Sequence, residues 1–137
     1  MEADFNFRAG RKLEPKCYNN PMDTEEVIKE LSNKYPGKKI IKIPEDNPTE
    51  IICEISPGIV ISVIDKSESH YHKEMTETYE ILKGSLDVYK DGDKQILVTG
   101  DRIVIEPGVV HYAIGDETWI KVIANPPWTP EDHILME

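Results

Sequence analysis

The segment Glu68–Gly84, ESHYHKEMTETYEILKG, carries two histidines separated by one residue and a glutamate shortly after them. Side chains on a β-strand alternate between its two faces, so His70 and His72 project to one face and Tyr71 to the other. Two imidazoles on one face can share a metal ion. Taken alone, the pair fits equally well two polar residues that happen to lie on the same strand face.

The residues that follow the pair favour the metal interpretation. KEMT is a turn of a length that can bring the carboxylate of Glu77 back beside both imidazoles. A third histidine, His111, opens another β-rich run after EPGVV. Neutral imidazole and carboxylate suit a first-row divalent metal. The sequence therefore offers three histidines and one glutamate that can meet at one point.

The chain around this segment consists of short β-rich runs separated by turn residues. The runs are KKIIKI, IICEI, IVISVI, SHYH, TYEILK, SLDVYK, KQILVT, DRIVIE, VVHYAI and TWIKVIA. Between them stand clusters such as PEDNP, SPG, KDGD and GDE, which are rich in residues that turn the chain. Asp91-Gly92 predicts a tight hairpin. Because no second helix separates the runs, the pattern predicts two packed antiparallel sheets rather than a parallel sheet with crossovers.

One helix is predicted near the start, in MDTEEVIKELSNKYPG. Asp23 can cap it, with Glu26 three residues later as in a capping box. The apolar residues that share one face of this helix are Val27, Ile28 and Leu31. The sequence Tyr35-Pro36-Gly37 is expected to end it.

The length of 137 residues, of which 39% are hydrophobic, fits one compact domain. We expect an N-terminal arm and helix over residues 1–37, a barrel over residues 38–125 and a tail over residues 126–137. Proline cannot donate to a β-ladder, so the proline-rich tail is expected to pack on the outside of the barrel without adding a strand. Trp128 is expected either to fold over one end of the barrel or to pin this tail, and neither Trp128 nor His133 is expected to belong to the site.

Charge and composition exclude several function classes. A formal charge of −10 has the wrong sign for holding a phosphate backbone, so nucleic acid is not an expected partner. No apolar run approaches the length that spans a bilayer, and the first residues lack the apolar centre of a secretory signal. Cys17 and Cys53 lie far apart, outside the spacing of a zinc ribbon or a redox motif. A soluble, cytoplasmic protein without a membrane partner is expected.

The histidine-rich segment resembles the first of two short motifs carried by the cupins, a family of jelly-roll barrels. That motif reads glycine, five residues, HxH, three or four residues, glutamate, six residues, glycine. His70 and His72 fall on its histidines. Glu77 and Gly84 fall on its glutamate and final glycine, whereas Ile64 stands at the leading glycine.

A second stretch is similar to the other cupin motif, which reads glycine, five residues, proline, any residue, glycine, two residues, histidine, three residues, asparagine. Gly100, Gly108 and His111 keep their places. Glu106 occupies the proline position, and Gly115 replaces the asparagine. Both departures touch turn or flanking positions rather than metal ligands.

The resemblance covers roughly Ile51 to Ala124 and implies a small single-domain cupin of the cupin 2 type. Its fold would be all-β, a double-stranded β-helix or jelly-roll barrel with one short N-terminal helix. The resemblance also implies one metal ion inside the barrel. The residues that would bind it are His70, His72, Glu77 and His111. Small cupins often dimerise through N-terminal strands, so KKIIKI is expected either to pair across a homodimer interface or to pair within its own barrel.

Three nitrogens and one carboxylate oxygen leave one or two positions of an octahedral ion open for water or substrate. The resemblance favours iron or manganese, and zinc, nickel and copper also suit these ligands. We expect a small-molecule enzyme, either a metal-dependent dioxygenase or a sugar isomerase or epimerase. The alternative is a non-catalytic module that binds a small molecule or a metal. Phosphosugars rank below uncharged or chelating substrates, because Arg102 and Lys121 are not securely directed inward.

Strand alternation from the expected ligands indicates the wall of the pocket. Tyr79 and Ile81 share the face of Glu77, and Ala113 shares the face of His111. Tyr79 is predicted to donate a hydrogen bond to substrate or to act as an acid, and a core tyrosine is the competing interpretation. Met75 is expected either to line the pocket mouth or to fill a gap in the core.

Overall fold

The computed structural model of the chain describes residues 22–136. Within them it contains one α-helix, α1 (Thr24–Lys34), and ten β-strands. The strands are β1 (Lys39–Ile43), β2 (Glu50–Ser56), β3 (Ile59–Lys66), β4 (His70–Tyr71), β5 (Thr76–Lys83), β6 (Ser85–Lys90), β7 (Asp93–Val98), β8 (Arg102–Ile105), β9 (His111–Asn125) and β10 (Ile134–Leu135). A short 3-10 helix covers Pro130–Asp132. The expected N-terminal arm and Cys17 lie outside the described residues.

The strands form one antiparallel sheet that curls on itself. Along one half the neighbours run β1-β2-β3-β9-β4-β10, while β9 also pairs with β5 and β6, which pair in turn with β8 and β7. Strand β9 has 15 residues and is long enough to hold both halves together. The predicted all-β jelly-roll architecture is confirmed.

The prediction of two runs separated by a turn at GDE is wrong, because that segment lies inside β9. Strand β6 pairs with residues 111–115 of β9, and β5 pairs with residues 119–125. Between them Glu117 adopts a positive φ of 47°, and its backbone N–H donates to Asp65 Oδ1 at 2.7 Å. The irregularity bends the strand from one half of the barrel to the other without ending it.

The interior of the barrel is apolar. Its buried members are Ile64, Tyr79, Ile81, Leu86, Val88, Leu97, Ile103, Ile105, Ala113, Ile120 and Val122. Most come from alternate positions of strands, so the intervening side chains point outward. This packing fixes the strands whose ends carry the site.

Helix α1 covers the outside of the barrel. Its buried residues Val27 and Leu31 join a second apolar cluster with Ile51, Cys53 and Trp119. The predicted cap is confirmed, since the Asp23 side chain accepts a hydrogen bond from the Glu26 N–H at 3.3 Å. The Asp23 N–H donates to Glu117 Oε2 at 2.8 Å, which ties the helix start to β9.

The hairpin predicted at Asp91-Gly92 is confirmed. It joins β6 to β7, with Lys90 paired to Asp93. Asp91 and Gly92 both have positive φ, 49° and 88°, as a two-residue hairpin turn with the right-handed twist requires.

The prediction that the tail adds no strand is wrong. Ile134 and Leu135 form β10, which pairs with Tyr71 and His70 of β4. The prolines of the tail end at Pro130, so the residues beyond it keep the backbone N–H groups that a ladder needs. The described residues contain no helix that is both long and apolar enough to cross a membrane. The domain limits and the cytoplasmic location stay predictions.

Candidate metal centre

Four side chains converge at one end of the barrel interior. Strand β4 pairs with β9 so that His70 lies opposite His111, and β5 begins just before Glu77. The ligand atoms of the four residues all lie within 4.8 Å of one another, and the four residues are buried. The residues predicted to meet are His70, His72, Glu77 and His111, and the structure brings all four together in an arrangement that can hold a metal ion.

Backbone carbonyls orient each of the three imidazoles. His70 Nδ1 lies 2.6 Å from the Glu68 carbonyl oxygen, and His111 Nδ1 lies 2.9 Å from the Val109 carbonyl oxygen. His72 Nδ1 lies 2.6 Å from the carbonyl oxygen of Asp132. A carbonyl oxygen only accepts, so each Nδ1 is assigned the proton, and a neutral ring then presents a lone pair at Nε2.

The Nε2 atoms of His72 and His111 face a carboxylate, an arrangement that suits a cation between them. Glu77 Oε1 lies 3.0 Å from His111 Nε2 and 3.4 Å from His72 Nε2. His72 Nε2 is buried and has no hydrogen-bond partner among the described residues. Two lone pairs repel each other unless a proton or a metal ion lies between them. The donor set therefore fits a divalent transition metal, with each imidazole fixed by a carbonyl behind it.

The charges of the cluster match this arrangement. Burial, and then the neighbouring His111, lowers the pKa of His70 to about 4, so its ring is neutral at pH 7. Burial alone would raise the pKa of Glu77, but the adjacent imidazoles of His111 and His72 outweigh it and lower that pKa to about 2. Burial also opposes charge on His72, yet its contact with Glu77 raises the pKa of His72 above its usual value. The ionised Glu77 attracts a cation to the cluster.

The C-terminal tail reaches this site, which the sequence interpretation missed. The Asp132 carbonyl holds His72, and the Asp132 carboxylate accepts hydrogen bonds from the N–H groups of the loop after His72. The donors are Lys73 at 2.6 Å, Glu74 at 3.0 Å and Met75 at 3.0 Å. This carboxylate therefore fixes the turn that separates His72 from Glu77.

His133 also lies against the ligands instead of outside the site as predicted. Its ring stacks on His70, with centroids 4.3 Å apart and planes 21° from parallel. The Trp128 indole Nε1–H donates to His133 Nδ1 at 3.3 Å, and Trp128 lines the cavity, although it was not expected to belong to the site. The only sign of this in the sequence is a run of polar and aromatic residues in a proline-rich tail, which carries no motif.

A cavity of about 640 Å³ opens from the metal-ligand cluster into the barrel. Tyr79 and Met75 line it, and both are almost fully buried. Trp128 and His133 line it from the tail. Tyr79 thus lies where strand alternation placed it, on the pocket wall. Arg102 is exposed and pairs with Glu80, so it takes no part in the cavity.

Glu50 is a second carboxyl group in the cavity that the sequence interpretation did not identify. It opens β2, and its Oε2 accepts a hydrogen bond from the buried Ser62 Oγ at 2.7 Å. Burial is the main cause that raises the pKa of Glu50 to about 7, and the charges of Glu77 and Glu68 add to the effect. No metal-type spacing surrounds Glu50 in the sequence, so no pattern singled it out.

Residues 60–120 match the family model described as Cupin domain. These residues contain all four converging side chains and most of the barrel. This segment is therefore similar to the cupin domain, and solved structures of the cupin superfamily share its fold. The resemblance inferred from the two motifs is confirmed.

One curated protein is similar in sequence, and solved structures are similar in fold. An uncharacterized protein of Aquifex aeolicus (strain VF5) is 29% identical over 117 residues, which cover 84% of this chain and 91% of the relative. Pac13 of Streptomyces, a nucleoside dehydratase, aligns over 74% of this chain and 88% of its own, with a TM-score of 0.62 and 12% identity. An RmlC-like cupin of Shewanella frigidimarina aligns over 69% and 88%, with a TM-score of 0.55 and 19% identity.

The structure explains one departure from the second cupin motif. A Cβ atom at Gly115 would lie 2.5 Å from Thr118 Oγ1 and 2.9 Å from the Ile64 carbonyl oxygen. The asparagine of the motif would not fit here without movement of the backbone. At the bend of β9, Thr118 and the Ile64 carbonyl therefore occupy the space that an asparagine side chain would need.

Proposed function

We propose that this protein binds one divalent transition metal and uses it to catalyse a reaction of a small molecule held in the cavity. The metal ligands are His70, His72, Glu77 and His111. The main support for this proposal is the geometry of the cluster. Each of the three imidazoles is oriented by a backbone carbonyl at Nδ1, and all three lie beside one carboxylate at the end of the cavity. Iron or manganese is the proposed ion, and zinc, nickel and copper suit the same ligands.

The proposed reaction is the isomerisation or epimerisation of a sugar-like molecule. When bound, the ion supplies a positive charge that polarises an oxygen of the substrate. The cavity adds two groups that can exchange protons or hydrogen bonds with the substrate, the Glu50 carboxyl and the Tyr79 phenol. Tyr79 acts as a neutral hydrogen-bond donor in this proposal. Pac13 and a sugar phosphate isomerase from Silicibacter pomeroyi are neighbours of similar fold, which supports small hydroxylated substrates without deciding between them.

A dioxygenase is the second candidate. The observation in its favour is the number of protein ligands, since four donors leave open positions on an octahedral ion for a chelating substrate and dioxygen. The cavity carboxyl and phenol favour proton transfer over this alternative, because a dioxygenase would not need both.

A homodimer is also proposed, through β1. This strand pairs with β2 of its own chain, and no other strand among residues 22–136 pairs with its outer edge. An open edge can accept a strand from a second copy.

The first experiment is elemental analysis of protein purified without a chelator or a metal-leaching tag, in parallel with His72→Ala. About one equivalent of a transition metal in the wild type, lost in the variant, is the expected result. The metal-loaded protein is then tested for deuterium incorporation into sugars from deuterated water and for oxygen uptake with chelating acids. Absence of metal after reconstitution with each ion would contradict the proposed site. Metal binding without either activity would favour the non-catalytic module.

A further inference from the structure

We propose that Glu50 is the second ligand-binding group of the cavity and selects hydroxylated ligands that carry no negative charge. The inference rests on the proposed metal function, since the ligand is taken to contact the metal and Glu50 together. It assigns a binding role to a carboxyl that lies outside both cupin motifs.

The alternation of β2 places Glu50 in the barrel. Ile51 and Cys53 are fully buried in the cluster beneath α1, on the outer side of the barrel. The intervening side chains face the other way, and Glu50, Ile52 and Glu54 all line the cavity. Glu50 therefore shares one enclosed space with the metal ligands.

The hydrogen bonds of Glu50 leave one oxygen for a ligand. Ser62 Oγ donates to Oε2 at 2.7 Å, and Ser62 is only 1% exposed, so this contact is held by the packed wall of β3. No described residue donates a hydrogen bond to Oε1. Ser62 thus positions the carboxyl, and Oε1 remains to accept a hydrogen bond from a ligand hydroxyl or ammonium group.

The charges around Glu50 disfavour an anionic ligand. Burial is the main cause of the raised pKa of Glu50, and the negative charges of Glu77 and Glu68 raise it further. The cationic side chains that line the cavity, Lys38 and Lys39, come from the start of β1, where Lys39 is the cross-strand partner of Glu54. Glu54 lies four residues from Glu50, roughly 13 Å along the strand. A carboxylate or phosphate group placed beside Glu50 would therefore meet a negative charge without a cationic side chain nearby.

The test uses protein loaded with Mn²⁺ and two probes, the uncharged sugar D-xylose and the dianion oxalate. Paramagnetic relaxation of the xylose protons and of water reports the binding of each probe near the ion. Glu50→Gln removes the charge but keeps a hydrogen-bonding amide, and Glu50→Leu removes both. Glu54→Gln is the matched control, because Glu54 points into the same cavity but lies near the lysines.

At pH 8, above the pKa of about 7 of Glu50, we expect Glu50→Leu to weaken xylose binding about tenfold and Glu50→Gln to weaken it less, because a hydrogen bond to a charged carboxylate is lost or replaced by a neutral one. Both variants should bind oxalate several-fold more tightly, since a nearby like charge has gone. Glu54→Gln should change neither affinity. Opposite changes for two probes cannot come from a general loss of structure.

Two results would overturn the inference. One is xylose binding in Glu50→Leu that equals the wild type, or no xylose binding to the loaded wild type. The other is oxalate affinity that is unchanged in Glu50→Gln. Metal content is measured on the same samples, so a cluster that binds no Mn²⁺ refutes the proposed function itself, whereas a loaded cluster with either result refutes only the role of Glu50.

Discussion

Glu50 is a half-buried carboxyl of the cavity whose protonation affects the stability of the fold. Its pKa is raised from an ordinary 4.5 to about 7, chiefly by burial. The native state therefore holds a proton that the unfolded chain releases at lower pH, so the contribution of Glu50 to stability is present below pH 4.5 and is lost as the pH rises to 7. The neighbouring groups Glu77, Glu68 and Tyr79 remain when Glu50 is replaced.

We expect metal-free Glu50→Gln to gain stability over metal-free wild type as the pH rises from 5 to 8. The difference in the free energy of unfolding should approach about 3 kcal/mol, because a shift of one pKa unit corresponds to about 1.4 kcal/mol. Urea unfolding of both proteins in EDTA at several pH values measures it. His70 titrates in both proteins and cancels in the difference. A difference that does not change with pH would contradict the raised pKa.

Gly115 carries a steric role at the bend of β9. Since a Cβ atom there would lie 2.9 Å from a backbone oxygen, Gly115→Asn should destabilise the protein by about 2–3 kcal/mol. Gly92→Asn is the comparison variant, because the Cβ at Gly92 meets nothing within 4 Å, so its cost comes from the φ of 88° alone, which asparagine tolerates better than most residues. Thermal unfolding of the two variants measures the contrast, and equal melting temperatures would count against the steric account.

At the scale of elements, the C-terminal tail holds other parts of the site in place through hydrogen bonds to His72 and to the loop that follows it. The 3-10 helix Pro130–Asp132 brings one residue to both the His72 ring and the loop that leads to β5. Loops carry much of the function in folded proteins, and their conformation needs an anchor. Here the Asp132 carboxylate, which accepts three backbone hydrogen bonds, is that anchor.

We expect Asp132→Ala to weaken metal affinity by roughly ten- to a hundredfold while the four ligands remain, as removal of residues that orient ligands does. Competition with a chromogenic chelator measures the affinity. Glu131→Ala is the matched control, because Glu131 is the exposed neighbour in the same turn. Equal affinity in Asp132→Ala and the wild type would mean that the loop holds its shape without the tail.

The elements also show which parts of the site could be predicted. His70, His72 and Glu77 lie within eight residues, so strand alternation and one turn were enough to predict that they lie close together. Asp132 meets His72 across 60 positions, and nothing local encodes that contact. Local sequence also does not reveal that Glu50 faces the cavity, because this depends on which face of β2 is covered by helix α1. The bend of β9 at Gly115–Glu117 was predicted as a turn, because glycine and acidic residues are typical both of a turn between two strands and of a bend within one strand.

At the scale of the whole molecule, the barrel places the metal ligands on separate strands. His70 belongs to β4, Glu77 to β5 and His111 to β9, and His72 lies in the loop between β4 and β5. An ion bound by all four would connect the segment from His70 to Glu77 with His111, which lies 34 positions after Glu77, and the folded barrel brings their ligand atoms within 4.8 Å of one another. The ion would therefore bind the native state far better than the unfolded chain.

Metal binding should for this reason stabilise the entire fold. At a free Mn²⁺ concentration one hundred times the dissociation constant, linkage gives about 2.7 kcal/mol, which for a domain of this size raises the melting temperature by roughly 10 °C. Calorimetric scans with Mn²⁺, with EDTA and with His72→Ala measure the effect. EDTA should remove the shift in the wild type and leave the variant unchanged, because the variant lacks one of the four ligands. An equal Mn²⁺-dependent shift in His72→Ala would place the stabilising ion elsewhere and remove the link between the cluster and the fold.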